Sequence, residues 1–394
     1  LSTDVSKIVF TLKNSRPYGA PKVVCRHAAA LASRGHQVTV VVGEEAACES
    51  GSLESEMARS GIAVSNQPGL FDNGIGRGVM LVRSLLNELR PDIVISSQLR
   101  DTPPVMIAAG ISKTPAIAVA QNPLRFPGQS IVGRLKSRVY LESINWNATH
   151  VIAVSDFVRD HLRAKCRVAD QRIVTVQNGF DFGQFQSVDR SQSHNAIGNL
   201  GIGDSTFTIG CVGRIHPQKG LDVLVQAIAK IRAEQHHHDD LAIILVGDEG
   251  AGGRAYRSRL ENLIRTIGLE SQVHFVGFQK DPSQFLAGCD LFIQASRWEG
   301  GCPTLSCMEA WAIGVPTLQS DCSGFDHRFT VNEDGFGFKS ECIDDLSKQL
   351  EKILTLPEER LKEVGRRGRK FLMEHFSWSD AEDQFADVVE SVIA

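Results

Sequence analysis

The chain reads as an α/β protein made of two doubly wound, Rossmann-like halves. Three observations predict this. Short apolar runs alternate with amphipathic helical segments along most of its length. The alternation breaks once, in a polar stretch rich in Ser, Gln, Asn and Gly at 186–204. Glycines gather just after the apolar runs, where a parallel sheet carries its ligand loops. A length of 394 residues suits two domains. We therefore expect a first domain at 1–186, a linker at 187–204, a second domain at 205–375 and a final amphipathic helix at 376–394.

In the first half, Lys7–Leu12 reads as a strand, and Pro17, Gly19 and Pro21 mark the loop after it. Val23, Val24, His27, Ala28, Leu31 and Ala32 then make the apolar stripe of a helix that stops at Arg34-Gly35. Gln37–Val42 completes a strand–helix–strand unit. Further strands are expected at 62–64, 92–96, Ala116–Ala120, 151–155 and 173–176, with helices at 80–89, 105–110 and between the last two strands. The Gly74-x-Gly76-x-Gly78 cluster follows no clear strand and lacks the third spacing of a dinucleotide loop, so we read it as a flexible loop. His27 and His36 read as a helix-face residue and a turn residue, not as ligands.

The second half repeats the pattern. Strands are expected at Phe207–Val212, Leu241–Val246, Val273–Gly277, 290–295 and Thr317–Ser320, with helices at 221–232, 256–268 and 282–288. Leu305, Met308 and Ala312 have helical spacing. Three adjacent histidines, His236 to His238, cannot all face one metal on a regular element and read as a solvated loop.

Composition excludes several classes. With 42% hydrophobic and 22% charged residues, the chain has ordinary globular composition rather than that of a disordered one. A net charge of -4 gives no support to nucleic-acid binding over the whole surface. The nine cysteines are scattered, without a Cys-x-x-Cys pair, which argues against a disulfide framework or a zinc knuckle and for a reducing compartment. No basic segment with an apolar core opens the chain, although a leader trimmed before Leu1 stays open. No run approaches the roughly 20 apolar residues of a membrane span. Residues 121–146 carry Arg125, Arg134, Lys136 and Arg138 among Phe126, Ile131, Val132, Leu135, Val139 and Tyr140. A solvated helix with its apolar face on the core explains them, and contact with an anionic acceptor or a membrane surface is the rival reading.

Two places carry chemistry. Residues 296–316, SRWEGGCPTLSCMEAWAIGVP, run from a strand end through a Gly-Gly turn into a helix start, framed by Glu299 and Glu309. A helix start offers free N–H groups and a positive dipole end, which suits a diphosphate. An ordinary strand-to-helix connection explains the stretch equally well. Arg214 and Lys219 lie between a strand and a helix, where a cation pair can hold a pyrophosphate and stabilise the charge on a departing nucleoside diphosphate. Two exposed surface cations are the plainer reading.

Residues 213–220, GRIHPQKG, followed by LDVL, resemble the donor loop of retaining glycosyltransferases of family 4. Ser296-x-x-Glu299-Gly300 with Glu309-Ala-x-Ala-x-Gly-x-Pro316 resembles that family's Glu-x7-Glu signature. Arg34-Gly-His-Gln-Val-Thr-Val40, Ala153-Val-Ser155, Asn178-Gly-Phe-Asp181, Val246-Gly-Asp248 and Val276-Gly277 fit the same pattern, so the resemblance covers nearly the whole chain. It implies the GT-B fold, two Rossmann-like domains facing a cleft, with the last helix near Trp378 crossing back to the first. It implies transfer of a sugar from a nucleotide donor, UDP- or GDP-linked, to an acceptor hydroxyl with retained configuration. The acceptor would be a glycan or lipid-linked, in polysaccharide, lipopolysaccharide or glycolipid synthesis. Arg214, Lys219 and Glu299 are the implied catalytic residues. Arg214 and Lys219 would grip the diphosphate, Glu299 the donor sugar and Glu309 the ribose. Gly301, Cys302, Pro303, Thr304 and Leu305 would support sugar and phosphate. Gly247 would join the donor loops, Phe278 would lie by the base, Gly19 would line the cleft, and Gln121 and Asn122 would face the acceptor. The chain has no Asp-x-Asp, the usual carboxylate pairing for a divalent ion on a nucleotide sugar, so neither metal nor other cofactor is expected. The expected location is cytoplasmic, at the inner membrane face if peripheral.

Two departures matter. Nine residues separate Glu299 from Glu309 where the family has seven. Either two are looped out, or Gly301 takes the first position and its carboxylate is missing. Gln121-Asn122-Pro123 stands where many members carry a His, and Gln does not titrate. A sugar-nucleotide-binding protein with weak or lost turnover is therefore kept as an alternative, with another GT-B enzyme such as a nucleotide-sugar epimerase.

Overall fold

Every strand pairs parallel to its neighbours, so each connection must cross a sheet face. The computed structural model describes residues 5–15, 19–44, 53–72, 74–97, 101–123, 131–185, 188, 196–234, 240–249, 253–301 and 303–394. The chain divides into two units, Leu1–Gly179 with Trp378–Ala394, and Phe180–Ser377.

The first unit runs β1 (Lys7–Leu12), α1 (Ala20–Ser33), β2 (Gln37–Val42), α2 (Glu54–Arg59), β3 (Ala63–Asn66), α3 (Ile75–Leu89), β4 (Ile93–Ser96), α4 (Thr102–Ser112), β5 (Ala116–Ala120), α5 (Ile131–Asn147), β6 (His150–Ala153), α6 (Asp156–Cys166) and β7 (Ile173–Thr175). Its sheet has the order β3-β2-β1-β4-β5-β6-β7. The second unit runs β8 (Phe207–Val212), α7 (Leu221–Glu234), β9 (Leu241–Val246), α8 (Arg254–Thr266), β10 (Val273–Gly277), α9 (Ser283–Ala287), β11 (Leu291–Gln294), α10 (Leu305–Ile313), β12 (Thr317–Ser320), β13 (Phe336–Phe338), α11 (Ile343–Leu354) and α12 (Glu358–His375). Its order is β10-β9-β8-β11-β12-β13. In each sheet the chain winds one way from its first strand, then returns to that strand's other side. Ligand crevices of doubly wound sheets open at this reversal, beyond the carboxyl ends of the central strands. The reversals fall at β1/β4 and at β8/β11.

The last helix, α13 (Trp378–Ile393), belongs to the first unit. Its Phe385 stacks on His27 at 4.0 Å and on Phe10 at 6.1 Å between ring centroids. Phe385, Ala386 and Val389 are part of that unit's apolar core. At the rim of this packing Arg34 donates to Asp383 (2.7 Å), Asp387 (2.8 Å) and Glu390 (3.1 Å).

Several expectations change. The glycines at 74–78 open a helix instead of forming a flexible loop. Gly74 takes φ 82° ahead of α3, and Gly78 lies inside that helix where a Cβ would come within 3.0 Å of Pro104 on α4. Glycine here serves close helix packing. The first division falls at Gly179/Phe180, not at 186, because Phe180 and Phe185 bury with Phe376 in the second unit. Inside the stretch read as a linker, Ile197 is buried against Ile244, Val246 and Cys289. No elements were expected between 320 and 378, where β13, α11 and α12 lie. On α5, Tyr140 and Ile144 face the core while Leu135, Arg138 and Trp146 are exposed. Residues 124–130, with Arg125 and Phe126, and His236 to His238 lie outside the described residues. Among the described residues no helix is long and apolar enough to cross a membrane.

His27 ties this packing to pH. Burial, and then the nearby Arg26 charge, push its pKa down to about 3. The unfolded chain, with an ordinary His, takes up a proton near pH 6.5, so His27 withholds stability as pH falls from there. At pH 5 the loss is about 2 kcal/mol. His27→Leu should flatten the pH dependence of unfolding free energy between pH 7.5 and 5 by about that amount. An unchanged slope in denaturant titrations at the two pH values would contradict the assignment.

Candidate functional site

The loops leaving β8 and β11 form the site. Three successive loops are laced by main-chain bonds. Gly213 N–H donates to Val246 O (2.9 Å), Ile215 N–H to Asp248 O (2.7 Å) and Gly247 N–H to Gly277 O (2.8 Å). Gly247 holds φ 143°, and a Cβ there would lie 2.0 Å from Gly213 O, so no other residue allows the approach.

Pro217–Lys219 makes one 3-10 turn. His216 caps it, with Nδ1 accepting from Gln218 N–H at 3.2 Å. Burial, then the Arg214 and Lys219 charges, lower the His216 pKa, which favours the neutral ring this cap requires.

The turn aims Lys219 at the β11 loop. Lys219 Nζ donates to Glu299 Oε1 at 2.6 Å, and Ser296 Oγ donates to the same oxygen at 2.7 Å. Gln218 Nε2 donates to Trp298 O (3.0 Å) and to Glu299 Oε2 (3.4 Å). Gln218 Oε1 accepts from Arg214 Nη2 at 3.1 Å. Glu299 is only 8% exposed. Lys219 is thus a largely buried member of an ion pair and not a solvated surface cation. A pocket between β8 and β11 opens beside it, lined by Gly213, Arg214, Lys219, Gln294, Ala295 and Ser296.

A second layer holds this arrangement. Arg297 Nη1 donates to Pro217 O (2.6 Å) and to Asp222 Oδ1 (3.0 Å), and Nη2 donates to Asp222 Oδ2 (2.7 Å). Its backbone N–H donates to Gln218 O (2.7 Å). Tyr256 OH donates to Asp222 Oδ1 (2.6 Å). Burial alone would raise the Asp222 pKa, but the Arg297 and Tyr256 bonds outweigh it and leave the carboxyl below its usual range. Ser320 Oγ donates to Ser296 O (2.6 Å) and Ser323 Oγ to Glu299 O (3.0 Å).

The structure therefore brings Arg214, Lys219 and Glu299 together. The nine residues between Glu299 and Glu309 are 300–304 and the first four residues of α10. Thr304 caps that helix by accepting from Cys307 N–H at 3.4 Å. Gly301, Pro303, Thr304 and Leu305 are half-buried around this start, Glu309 is half-buried in α10, and Cys302 lies outside the described residues. Phe278 follows β10, partly exposed. Gly19, Gln121 and Asn122 belong to the first unit. Gly19 (φ 62°) precedes α1, Asn122 is exposed, and Gln121, just beyond β5, has a buried Nε2 with no hydrogen-bond partner. Sequence reasoning missed Gln218, Arg297 and Asp222. Gln218 sits inside the quoted loop motif, while nothing in the sequence pairs Arg297 with Asp222. Among the described residues, no group of three His, Cys, Asp or Glu side chains is arranged to hold a metal ion.

Residues 193–371 match the family model described as glycosyl transferases group 1, and residues 17–184 match Glycosyltransferase Family 4. The chain is 27% identical over 186 residues to the lipopolysaccharide core biosynthesis mannosyltransferase LpsB of Rhizobium meliloti, covering 47% of this chain and 50% of that one. It is 26% identical over 225 residues to a D-inositol 3-phosphate glycosyltransferase of Actinosynnema mirum, covering 56% and 51%. It thus spans about half the length of these curated relatives. Among solved structures, Anabaena HepE in complex with UDP-glucose superposes with a TM-score of 0.82 at 21% identity, over 98% of this chain and 100% of that one. The lipopolysaccharide glycosyltransferase WaaG gives 0.75 at 18% identity, over 97% and 99%. These likenesses establish the GT-B fold, as the sequence led us to expect.

The Arg297–Asp222 pair predicts a measurable coupling. Arg297→Leu should cost about 2 kcal/mol, because it strands a half-buried carboxylate. A double-mutant cycle with Asp222→Asn, read by chemical denaturation, should return a coupling of about 1 kcal/mol or more. Strict additivity would show that the pair contributes nothing.

Proposed function

We propose that this chain, which belongs to the glycosyltransferases of group 1 and family 4, moves a sugar from a nucleoside diphosphate donor to an acceptor hydroxyl with retained anomeric configuration. The observation that carries the proposal is the Arg214–Gln218–Glu299–Lys219 cluster at the β8/β11 reversal. Two cations and a carboxylate meet there beside a helix start, which suits a diphosphate joined to a sugar.

In this reading Arg214 and Lys219 bind the diphosphate, and Glu299 holds the donor sugar. Glu309 takes the ribose hydroxyls, and Phe278 lies by the base. The turn from Gly301 to Leu305 supports sugar and phosphate. The bond from the anomeric carbon to the β-phosphate oxygen breaks. The acceptor oxygen attacks from the same face, and its proton passes to the departing phosphate. The two cations stabilise the charge that develops there, so no metal is required. A UDP or GDP donor is favoured by relatives. HepE is solved with UDP-glucose, and a 27% identical Corynebacterium glutamicum protein is described as a GDP-mannose-dependent mannosyltransferase. Names such as that of the lipopolysaccharide core mannosyltransferase LpsB favour a glycan or lipid-linked acceptor, and in this reading it is met in the cytoplasm or at its membrane face. Gln121 favours a second reading, donor binding with weak or lost turnover, since it cannot titrate as a His would.

Thermal-shift screening against UDP, GDP, ADP and TDP tests the proposal, because a ligand of the native state at 100 times its Kd adds about 2.7 kcal/mol of stability. Lys219→Ala should weaken the bound nucleotide by roughly tenfold to a hundredfold. Equal binding by parent and variant would sink the assignment. Transfer or donor hydrolysis that persists in EDTA is expected of the enzyme, and binding without either would select the second reading.

A further inference from the structure

We infer that Gln218 is a positioning residue whose single side-chain amide sets the orientation of both Arg214 and Glu299 toward the donor. The inference rests on the proposed roles of those two residues. The geometry beneath it does not.

Both ends of the amide are committed. The guanidinium of Arg214 only donates, so it must meet Oε1, as it does at 3.1 Å. The carbonyl of Trp298 only accepts, so it must meet Nε2, as it does at 3.0 Å. The amide therefore cannot flip, and its remaining N–H is left facing Glu299 Oε2 at 3.4 Å. The main chain of Gln218 is held as well, its N–H by His216 Nδ1 and its carbonyl by Arg297 N–H. The side chain starts from a fixed point and is only 8% exposed.

The donors on Glu299 are divided between its oxygens. Lys219 and Ser296 serve Oε1, and Gln218 serves Oε2. A diphosphate that draws Lys219 toward itself leaves the carboxylate held by Ser296 and Gln218, still oriented for the sugar. Two side chains of similar size, Glu and Met, do not reproduce these bonds. Glu would accept from Arg214 but set a second negative charge against Glu299 and the Trp298 carbonyl. Met would fill the space and bond neither.

The test compares Gln218→Met and Gln218→Glu with the parent protein, using UDP and UDP-glucose in calorimetric titrations. Both variants should bind UDP-glucose about tenfold more weakly. Parent-like affinity of both variants would overturn the inference. A readout in the ligand-free protein separates it from the donor assignment. The hindered rotation of the Arg214 guanidinium, followed by 15N NMR, should quicken in Gln218→Met. If the parent binds none of UDP, GDP, ADP and TDP yet that rotation quickens, the donor reading fails and the positioning of Arg214 stands. If the rotation is unchanged, the positioning fails.

Discussion

Lys219 and Glu299 are eighty positions apart in the chain and 2.6 Å apart in space. What joins them is the return of the chain to the far side of β8, which pairs Phe292 with Gly210 and sets the two following loops side by side. A largely buried ion pair is tolerable only when its remaining hydrogen-bonding capacity is filled. Much of the surrounding loop chemistry meets that demand. Ser296 and Gln218 complete the carboxylate, Ser323 ties down its backbone, and Arg297 fixes the turn that presents the lysine. Charge and geometry are set before any ligand arrives, the condition under which fixed dipoles stabilise a developing charge most effectively.

The two units share a topology and differ in what closes its reversal. Among the described residues at β1/β4, Thr11 donates to the fully buried Asp101 at 2.5 Å, and Ser96 shares a hydrogen bond with Thr102 at 2.6 Å. At β8/β11 the groups that meet are a cation and an anion at the lip of a pocket. A diphosphate can displace one partner of that pair by offering stronger charge.

The sequence was most legible where burial is two-sided. Strands β1, β2, β5, β8, β9 and β12 have the bounds expected from their apolar runs, because a parallel strand covered on both faces has little polar alternation; the edge strand β10, half-buried over most of its length, has its expected bounds too. β13 escaped because three residues with a central glycine give no pattern. α3 was shortened because its glycines resemble a loop, and the reason for Gly78, the passage of Pro104, lies in another helix. The charged residues of the site were readable from their types and their place after a strand. Gln218 was not, although it lies one residue from Lys219. Its role comes from what it reaches across the fold, and local spacing does not carry that. Arg297 sits two residues before Glu299 and is likewise defined by partners in a distant loop.

Phe385 of α13 lies against Phe10 of β1, so the first unit is closed by residues made after the whole second unit. On the ribosome the opening sheet emerges with this part of its core unfilled. It stays so while the whole second unit, Phe180–Ser377, is synthesised. The second unit is continuous in sequence and has no such wait. Vectorial synthesis therefore reverses the usual order, in which the N-terminal domain matures first. The second unit can finish folding while the first still has an apolar face open to chaperones.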